Sequence, residues 1–127
     1  MIYTSYFAKL KDVENPIAIC GKSPEWYGGP QFRSLAPKWK FFSDYKAGII
    51  DSNGYIKQYA ELVTGKLDPH KVVQDLMAIY PGAQNITLLC YEIPTDFCHR
   101  HLIAKWLQEN GYPVKEFKCQ EPPINMM

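Results

Sequence analysis

The residues best suited to chemistry lie close together in the second half of the chain. Cys90 and Glu92 come at the end of an apolar run, and Cys98, His99 and Arg100 follow shortly afterwards. We expect the last three to lie in the first turn of a helix, where free N–H groups and the helix dipole favour an anion. The fork of Arg100 suits a phosphate or carboxylate, and the same positive surroundings favour a thiolate at Cys98.

Each of these residues also has a purely structural interpretation. Cys90 lies inside an apolar run, where a cysteine usually packs as a small hydrophobic residue. Cys98 either packs in the same way or reacts. Glu92 is either a general base or an acceptor for a ribose hydroxyl, or else it pairs with Arg100 and holds the turn. The sequence leaves these alternatives open.

A metal site is another reading of this stretch. His99 and His101 are two positions apart, so on a helix they point to opposite sides. Cys98 and His101 share a helix face, and Cys90 could join them as a third ligand. Because this spacing is weak support for a zinc site, we assign no metal ligand and no cofactor.

Strands and helices alternate along the chain. The apolar run at residues 86–91 indicates a strand buried on both faces, as in a parallel sheet. Further strands are predicted at residues 2–7, 17–20 and 114–117. Helices are predicted from Lys38 to a stop at Gly48, from a cap at Ser52 or Asn53 through Val63, from Asp68-Pro69 to Pro81-Gly82, and from a cap at Thr95 or Asp96 to Asn110. This order predicts an α/β fold, a small three-layer domain with a mostly parallel sheet and flanking helices, over residues 1–118, followed by a loose tail at 119–127.

The composition is that of a globular protein and excludes several classes. Of the 127 residues, 46% are hydrophobic and 21% charged, which argues against a disordered or collagen-like chain. The net charge of +1 gives no overall attraction to duplex DNA or an anionic membrane. The chain starts without a signal-peptide pattern and contains no run of roughly 20 apolar residues. We therefore expect a cytoplasmic protein with free thiols and no membrane partner.

The run LLCYEIPTDFCHRHLIAKWL resembles the signature of the DUF488 family, in which a strand ending in Leu-Leu-Cys-x-Glu precedes Cys-His-Arg-His on a helix. The resemblance implies an α/β fold and a pocket rather than a particular reaction. It maps the family's motif positions onto Cys90, Glu92, Cys98, His99 and Arg100. Tyr91 replaces the usual small residue, which narrows the pocket or supplies a stacking ring. Weaker matches extend the resemblance over residues 2–117, and they are Ser23-Pro24 with Trp26, Leu35-Ala36-Pro37, Tyr45-Lys46 and Tyr55-x-x-x-Tyr59.

Residues 15–50 combine aromatic side chains with a local excess of positive charge. Trp39 and Phe42 fit a helical period, so we expect them to face the core. Trp26 and Tyr27 fit no such period and lie beside two glycines, in a loop that can close over the pocket. Rings next to cations suit stacking on a base while phosphates are neutralised.

The leading hypothesis is that the chain binds a phosphorylated, nucleotide-like small molecule, for instance as a phage-type protein that sequesters a nucleotide signal. The anionic group would lie at the helix start, and the base would stack under an aromatic ring. The expected ligand-binding residues are Arg100, Cys90, Tyr91, His101, Lys22, Trp26 and Tyr27.

Two alternatives use the same residues differently. The first is a transferase or hydrolase acting on a nucleotide or nucleoside, with Cys98 as nucleophile, His99 or His101 as proton carrier and Glu92 assisting. The second is a module that binds single-stranded nucleic acid. The sequence decides neither whether turnover occurs nor the oligomeric state.

Overall fold

Four parallel strands form the centre of the fold in a computed structural model that describes residues 1–91 and 97–117. In spatial order the sheet runs β2-β3-β1-β4. The strands are β1 (Ile2–Tyr6), β2 (Pro16–Ala18), β3 (Ile86–Cys90) and β4 (Val114–Glu116). Every residue of β3 is buried, as its apolar run predicted. The prediction of an α/β domain with a parallel sheet and flanking helices is confirmed, and each strand ends slightly earlier than predicted.

The four α-helices of the described residues are α1 (Trp39–Lys46), α2 (Ser52–Leu62), α3 (Pro69–Ile79) and α4 (His99–Glu109). The Asp68-Pro69 start signal is confirmed, because the Asp68 carboxylate accepts a 3.0 Å hydrogen bond from the His70 N–H. The cap of α2 is Asp51, not Ser52 or Asn53, and it accepts from the Gly54 N–H at 2.9 Å.

The two faces of the sheet are covered in different ways. Ile17 and Leu88 are register partners, and they belong to a core cluster to which all four α-helices contribute buried side chains. Ala18 and Leu89 point to the opposite face, because side chains alternate along a strand. There a smaller cluster forms around Phe7, which begins a 3₁₀ helix (Phe7–Asp12). Two further short 3₁₀ helices are Arg33–Leu35 and Thr64–Lys66.

The first helix buries a different ring from the one expected. Phe41 is fully buried and packs edge to face on Tyr55, with ring centroids 5.1 Å apart. Trp39 is 76% exposed, so the expectation that it faces the core is wrong. Phe42, also expected in the core, is half-buried. Because α1 begins at Trp39, this residue lies in the first turn, on the face turned away from the core.

The start of α4 also differs from the prediction. Cys98 has an extended backbone (φ −152°, ψ 145°) and is the N-cap of α4, so it precedes the first turn. His99 and Arg100 are the first two helical residues. The predicted caps Thr95 and Asp96 lie outside the described residues, as does the predicted tail at 119–127. Within the described part of the chain, no helix has the length and apolar character needed to cross a membrane.

Candidate functional site

The carboxyl ends of β2 and β3 lie side by side, and three cysteines meet beside them. Cys90 ends β3, Cys20 follows β2, and Cys98 caps α4. A 3.0 Å hydrogen bond from the Ile19 N–H to the Leu89 carbonyl holds the two chain segments together beyond β2. All three cysteines line one cavity of about 80 Å³. This is the edge of the sheet at which open α/β folds bind ligands.

The cavity has two parts, which differ in composition. We call Cys90, Cys98, His99 and the adjoining Arg100 the floor. We call the aromatic and cationic lining the wall, and its members are Phe42, Tyr45, Lys46, Tyr55, Tyr91 and Phe97.

Cys90 and Cys98 face each other in the floor, and their sulfur atoms are bonded in the structure. This differs from the free thiols that the sequence predicted. The Cα atoms of the two cysteines are 7.6 Å apart. Ordinary disulfides place these atoms roughly 4.4–6.8 Å apart. The backbone therefore brings two sulfur atoms together at a spacing wider than an ordinary disulfide requires. Cys20 is buried and is not part of a disulfide.

His99 is buried in the floor with a defined tautomer. Its Nε2 lies 2.7 Å from the backbone carbonyl oxygen of Ile19. A carbonyl oxygen only accepts, so Nε2 must carry the proton and donate it. In the neutral ring, Nδ1 then carries a lone pair and can accept, and this atom lies 3.8 Å from the Cys98 sulfur. The sequence left open whether His99 or His101 would carry the proton. The structure brings His99 to the Cys98 sulfur.

Arg100 is fully buried and is held by protein groups. Its Nε and Nη2 each donate a 3.0 Å hydrogen bond to the carboxylate of Glu116 in β4, and its Nη1 donates to the Cys90 sulfur at 2.9 Å. The Thr4 hydroxyl donates to the same carboxylate at 2.7 Å. A buried guanidinium requires such pairing to offset its desolvation. The guanidinium expected to bind a ligand anion thus donates to the Glu116 carboxylate and to the Cys90 sulfur.

The wall consists mainly of aromatic rings in mutual contact. The rings of Tyr45, Tyr55 and Phe97 lie within 5.0–5.3 Å of one another, measured between centroids. Lys46 adds a cation, with its ammonium group 5.5 Å from the centroid of the Phe42 ring. The wall therefore combines apolar ring faces with one positive charge, at the open side of the cysteine and histidine groups.

The two loop aromatics that we expected over the pocket have different environments. Tyr27 is buried on the other face of the sheet, where its hydroxyl lies 2.7 Å from the Pro30 carbonyl oxygen and 3.2 Å from that of Pro16. This burial raises the pKa of Tyr27 to about 12. Trp26 is 63% exposed, and its ring contacts Phe7 at 6.1 Å. Neither residue lines the cavity.

Tyr91 lies between this loop and the cavity. It is half-exposed and lines the cavity, its ring packs on Phe7 at 5.1 Å, and its hydroxyl donates to the Lys22 carbonyl. Lys22 was expected to bind the ligand. In the structure its backbone oxygen accepts the Tyr91 hydrogen bond, while its side chain is exposed. His101 is half-buried on α4 and is not among the residues that line the cavity. Glu92 lies outside the described residues.

Several residues of the site were not singled out from the sequence as ligand-binding. Lys46 and Phe42 belonged to a predicted helix face, and Cys20 had no assigned role. The signal for Cys20 is its place at the end of the strand predicted over residues 17–20, which brings it to the same sheet edge as Cys90. Nothing in the local sequence marks Glu116 as the partner of Arg100, because the pair depends on β4 lying next to β1.

The floor also contains a possible set of metal ligands. One ligand atom from each of Cys90, Cys98 and His99 lies within 4.8 Å of the other two, and all three residues are buried. The combination weighed from the sequence used His101 in place of His99. That alternative, which the sequence supported only weakly, relied on Cys98 being helical, and the extended conformation of Cys98 removes its helical spacing to His101.

Comparison with known proteins agrees with the motif. The family model described as "DUF488-N3a: Active DUF488-N3 subclade" matches residues 9–111. The chain belongs to the DUF488 family. No curated protein and no solved structure matches it. The match spans the floor, the wall and the loop with Trp26 and Tyr27, so the whole site lies within the family domain.

Proposed function

We propose that this DUF488 protein binds a phosphorylated, nucleotide-like small molecule in the cavity at the carboxyl ends of β2 and β3. The observation that carries this proposal is the aromatic wall around a polar floor. Planar bases are recognised by stacking on aromatic side chains, with a few polar groups to fix their orientation. The cavity of about 80 Å³ accommodates one end of such a ligand, and the rest extends over the wall towards solvent.

The wall supplies the surface on which a base would stack. Tyr45 and Phe97 form a tilted pair at 5.2 Å, and Tyr91, the residue after Cys90, presents a half-exposed ring that also lines the cavity. Such rings tolerate different bases, because every base has a π-face. The wall therefore favours a class of ligands, and the polar groups of the floor select among its members.

The anionic part of the ligand is assigned to Lys46 and to the N-terminus of α4. Lys46 lines the cavity, whereas the guanidinium of Arg100 is directed to Glu116. The side chain of the N-cap residue, Cys98, makes no capping hydrogen bond to α4, and the N-terminus of a helix favours negative charge. The predicted anion site at the helix start is thus retained, with Lys46 in the role first given to Arg100.

The test is thermal stabilisation by nucleoside mono-, di- and cyclic phosphates at millimolar concentration. Bound ligand at 100 times its Kd raises the free energy of unfolding by about 2.7 kcal/mol, which is easily detected as a higher Tm. We expect stabilisation of the wild type by at least one of these ligands and loss of that stabilisation in Lys46→Met. No rise in Tm with any ligand contradicts the proposal.

Lys40→Met is the matched control. Lys40 lies on the same helix as Lys46, forms an exposed ion pair with Asp44 and does not line the cavity. We expect it to keep the wild-type response. Equal losses in Lys40→Met and Lys46→Met would show that bulk charge, not the cavity, is responsible. A labelled single-stranded oligonucleotide is measured alongside, since binding of the strand alone, with a strong salt dependence, supports the nucleic-acid alternative instead.

A second candidate function is a Cys-dependent transferase or hydrolase for the same class of ligand. It is favoured by the 3.8 Å separation between the Cys98 sulfur and His99 Nδ1, the ring atom that can take a thiol proton. The description of the matched subclade as active agrees with it. In this case the reduced protein has a Cys98 thiol that iodoacetamide alkylates faster than the thiol of Cys20, and nucleotide binding is accompanied by turnover.

A further inference from the structure

We propose that Cys90, Cys98 and His99 bind a thiophilic divalent cation, with Zn²⁺ as the first choice. Two sulfur atoms and one imidazole nitrogen converge within 4.8 Å of one another in a buried part of the cavity. Thiolate and imidazole together are the ligands that Zn²⁺ prefers, and a set of two cysteines and one histidine is an established type of open zinc site. This site goes beyond the proposed ligand and does not depend on it.

The hydrogen bond of His99 gives independent support. A metal-binding histidine normally donates its other ring N–H to a carboxylate or backbone carbonyl, which fixes the tautomer and the orientation of the ring. His99 does this through Nε2 and the Ile19 carbonyl at 2.7 Å. The remaining atom, Nδ1, therefore offers its lone pair on the side of the Cys98 sulfur. The tautomer and orientation of the His99 ring that a metal ion needs are therefore already fixed without the ion.

The charge beside Cys90 points to a thiolate. Arg100 donates from Nη1 to the Cys90 sulfur at 2.9 Å, although Glu116 already accepts from its Nε and Nη2. Hydrogen bonds from a guanidinium are strong when the acceptor is charged, and a thiolate is such an acceptor whereas a disulfide sulfur is neutral. A fully buried cation next to this sulfur therefore suits a metal-bound thiolate better than a disulfide.

The spacing of the two cysteines agrees with a shared ion. Zn–S bonds of about 2.3 Å in a tetrahedral site place two bound sulfur atoms roughly 3.8 Å apart, much farther than the two atoms of a disulfide bond. The ion therefore permits a wider separation of the backbones than a disulfide does. The Cα separation of 7.6 Å between Cys90 and Cys98 lies beyond the usual disulfide range and agrees with a shared ion.

Binding is a ligand exchange without electron transfer. The S–S bond is first reduced by a phosphine and one water molecule: the phosphine supplies two electrons and takes the water oxygen to become a phosphine oxide, and the two water protons complete the two thiols. The ion then displaces two protons to the buffer as two S–metal bonds form, and His99 Nδ1 donates a third electron pair. Because all three residues line the cavity, the fourth coordination position faces it and is filled by water or by an oxygen or nitrogen of a ligand.

The test uses the full chain, reduced with a phosphine, freed of metal with a chelator and titrated with Zn²⁺ alone in the absence of nucleotides. We expect one Zn²⁺ per chain by competition with a chromophoric chelator. Titration with Co²⁺ provides a second readout, a near-ultraviolet charge-transfer band from thiolate to cobalt. Cys98→Ser is expected to lower the affinity more than about 100-fold, which exceeds the usual effect of changing a residue that only orients a ligand.

The chain offers matched controls for both ligand types. Cys20→Ser removes a buried cysteine that lines the same cavity, and His101→Gln removes a histidine of the same helix. We expect both to keep one Zn²⁺ per chain, while His99→Gln loses it. Equal loss in His101→Gln and His99→Gln overturns the assignment of His99. Equal loss in Cys20→Ser and Cys98→Ser overturns the assignment of the cysteine pair.

Two further results decide the proposal without variants. If the reduced wild type binds no Zn²⁺ and shows no thiolate–cobalt band, the site is not a metal site. If Zn²⁺ binds, alkylation of Cys90 and Cys98 by iodoacetamide is expected to slow markedly, because both sulfur atoms are coordinated. Unchanged alkylation with Zn²⁺ bound places the ion elsewhere and overturns the proposal. Neither readout uses nucleotides, so the two proposals fail or succeed separately.

Discussion

The floor and the wall of the cavity are adjacent, but they are held together in different ways. In the floor, each polar group is fixed by another protein group: His99 by the Ile19 carbonyl, and Arg100 by Glu116 and Cys90. In the wall, rings such as Tyr45 and Phe97 pack against one another at edge-on or tilted angles. Directed bonds fix the positions of reactive atoms, whereas ring packing adapts to the shape of a ligand. We therefore expect substitutions in the floor to reduce stability, and substitutions in the wall to reduce binding.

The largest expected effect is on the floor, in Arg100→Met. This change leaves the Glu116 carboxylate without its guanidinium partner, and breaking such a pair lowers the free energy of unfolding by about 3–5 kcal/mol. Urea denaturation measures the loss. Arg33→Met is the control, because Arg33 is exposed and its side chain bonds only weakly, to Gln31 at 3.3 Å. If Arg100→Met is as stable as Arg33→Met, the bonds of the floor do not stabilise the fold more than a surface contact does, and the floor then no longer differs from the wall in this respect.

A pH effect of intermediate size is expected from tyrosines that belong to neither part. The pKa of Tyr27 is raised to about 12 and that of Tyr59 well above its usual value, in both cases mainly by burial. The neutral hydroxyl is therefore favoured in the folded state. The contribution of this hydroxyl to the free energy of unfolding is fully present below the unfolded pKa of about 10. It is lost as the pH rises towards 12 and beyond.

Unfolding free energies measured between pH 8 and 12 check this expectation. The wild type is expected to lose stability only above about pH 10, where an unfolded tyrosine begins to ionise. Tyr27→Phe lacks the ionisable group, so its stability should fall less steeply over the same interval. If the slopes of the two proteins are identical, ionisation of Tyr27 does not contribute to alkaline unfolding.

The smallest expected effect on stability is in the wall, in Lys46→Met. Its ammonium group contacts the Phe42 ring at the edge of the cavity, and substitutions at such positions usually change the free energy of unfolding by less than about 0.5 kcal/mol. The same variant is expected to lose nucleotide binding. Loss of more than about 2 kcal/mol in urea denaturation would mean that the wall supports the fold, and the comparison with the floor would then have to be abandoned.

The sheet and the edge that carries the candidate site were predictable because they depend on local patterns. The apolar run that became β3 indicated the buried centre of the sheet, and the family motif indicated a helix at Cys-His-Arg-His, where α4 begins. Asp68-Pro69 marked the start of α3, because a capping carboxylate and a proline act within one turn. Such signals need no knowledge of the rest of the molecule.

The individual partners in the site were not predictable in the same way. Arg100 looked like a ligand-binding group because its partner, Glu116, lies on a strand that reaches it only through the order of the sheet. With Cys98 taken to be helical, His101 shared its helix face, but Cys98 is extended and the structure brings His99 to its sulfur instead. Trp39 fitted the helical period, but it is the first residue of a short helix and its side chain lies outside the core.

The pairing of Arg100 with Glu116 also has a consequence for the order in which the chain folds. Thr4 in the first strand donates to the same carboxylate, across a separation of 112 residues. The strands β1 and β4, which lie on either side of the matched residues 9–111, must therefore both be present before the charge beside Cys90 is balanced. Because Glu116 is synthesised after Arg100, the guanidinium obtains its carboxylate partner only when the last strand joins the sheet beside β1.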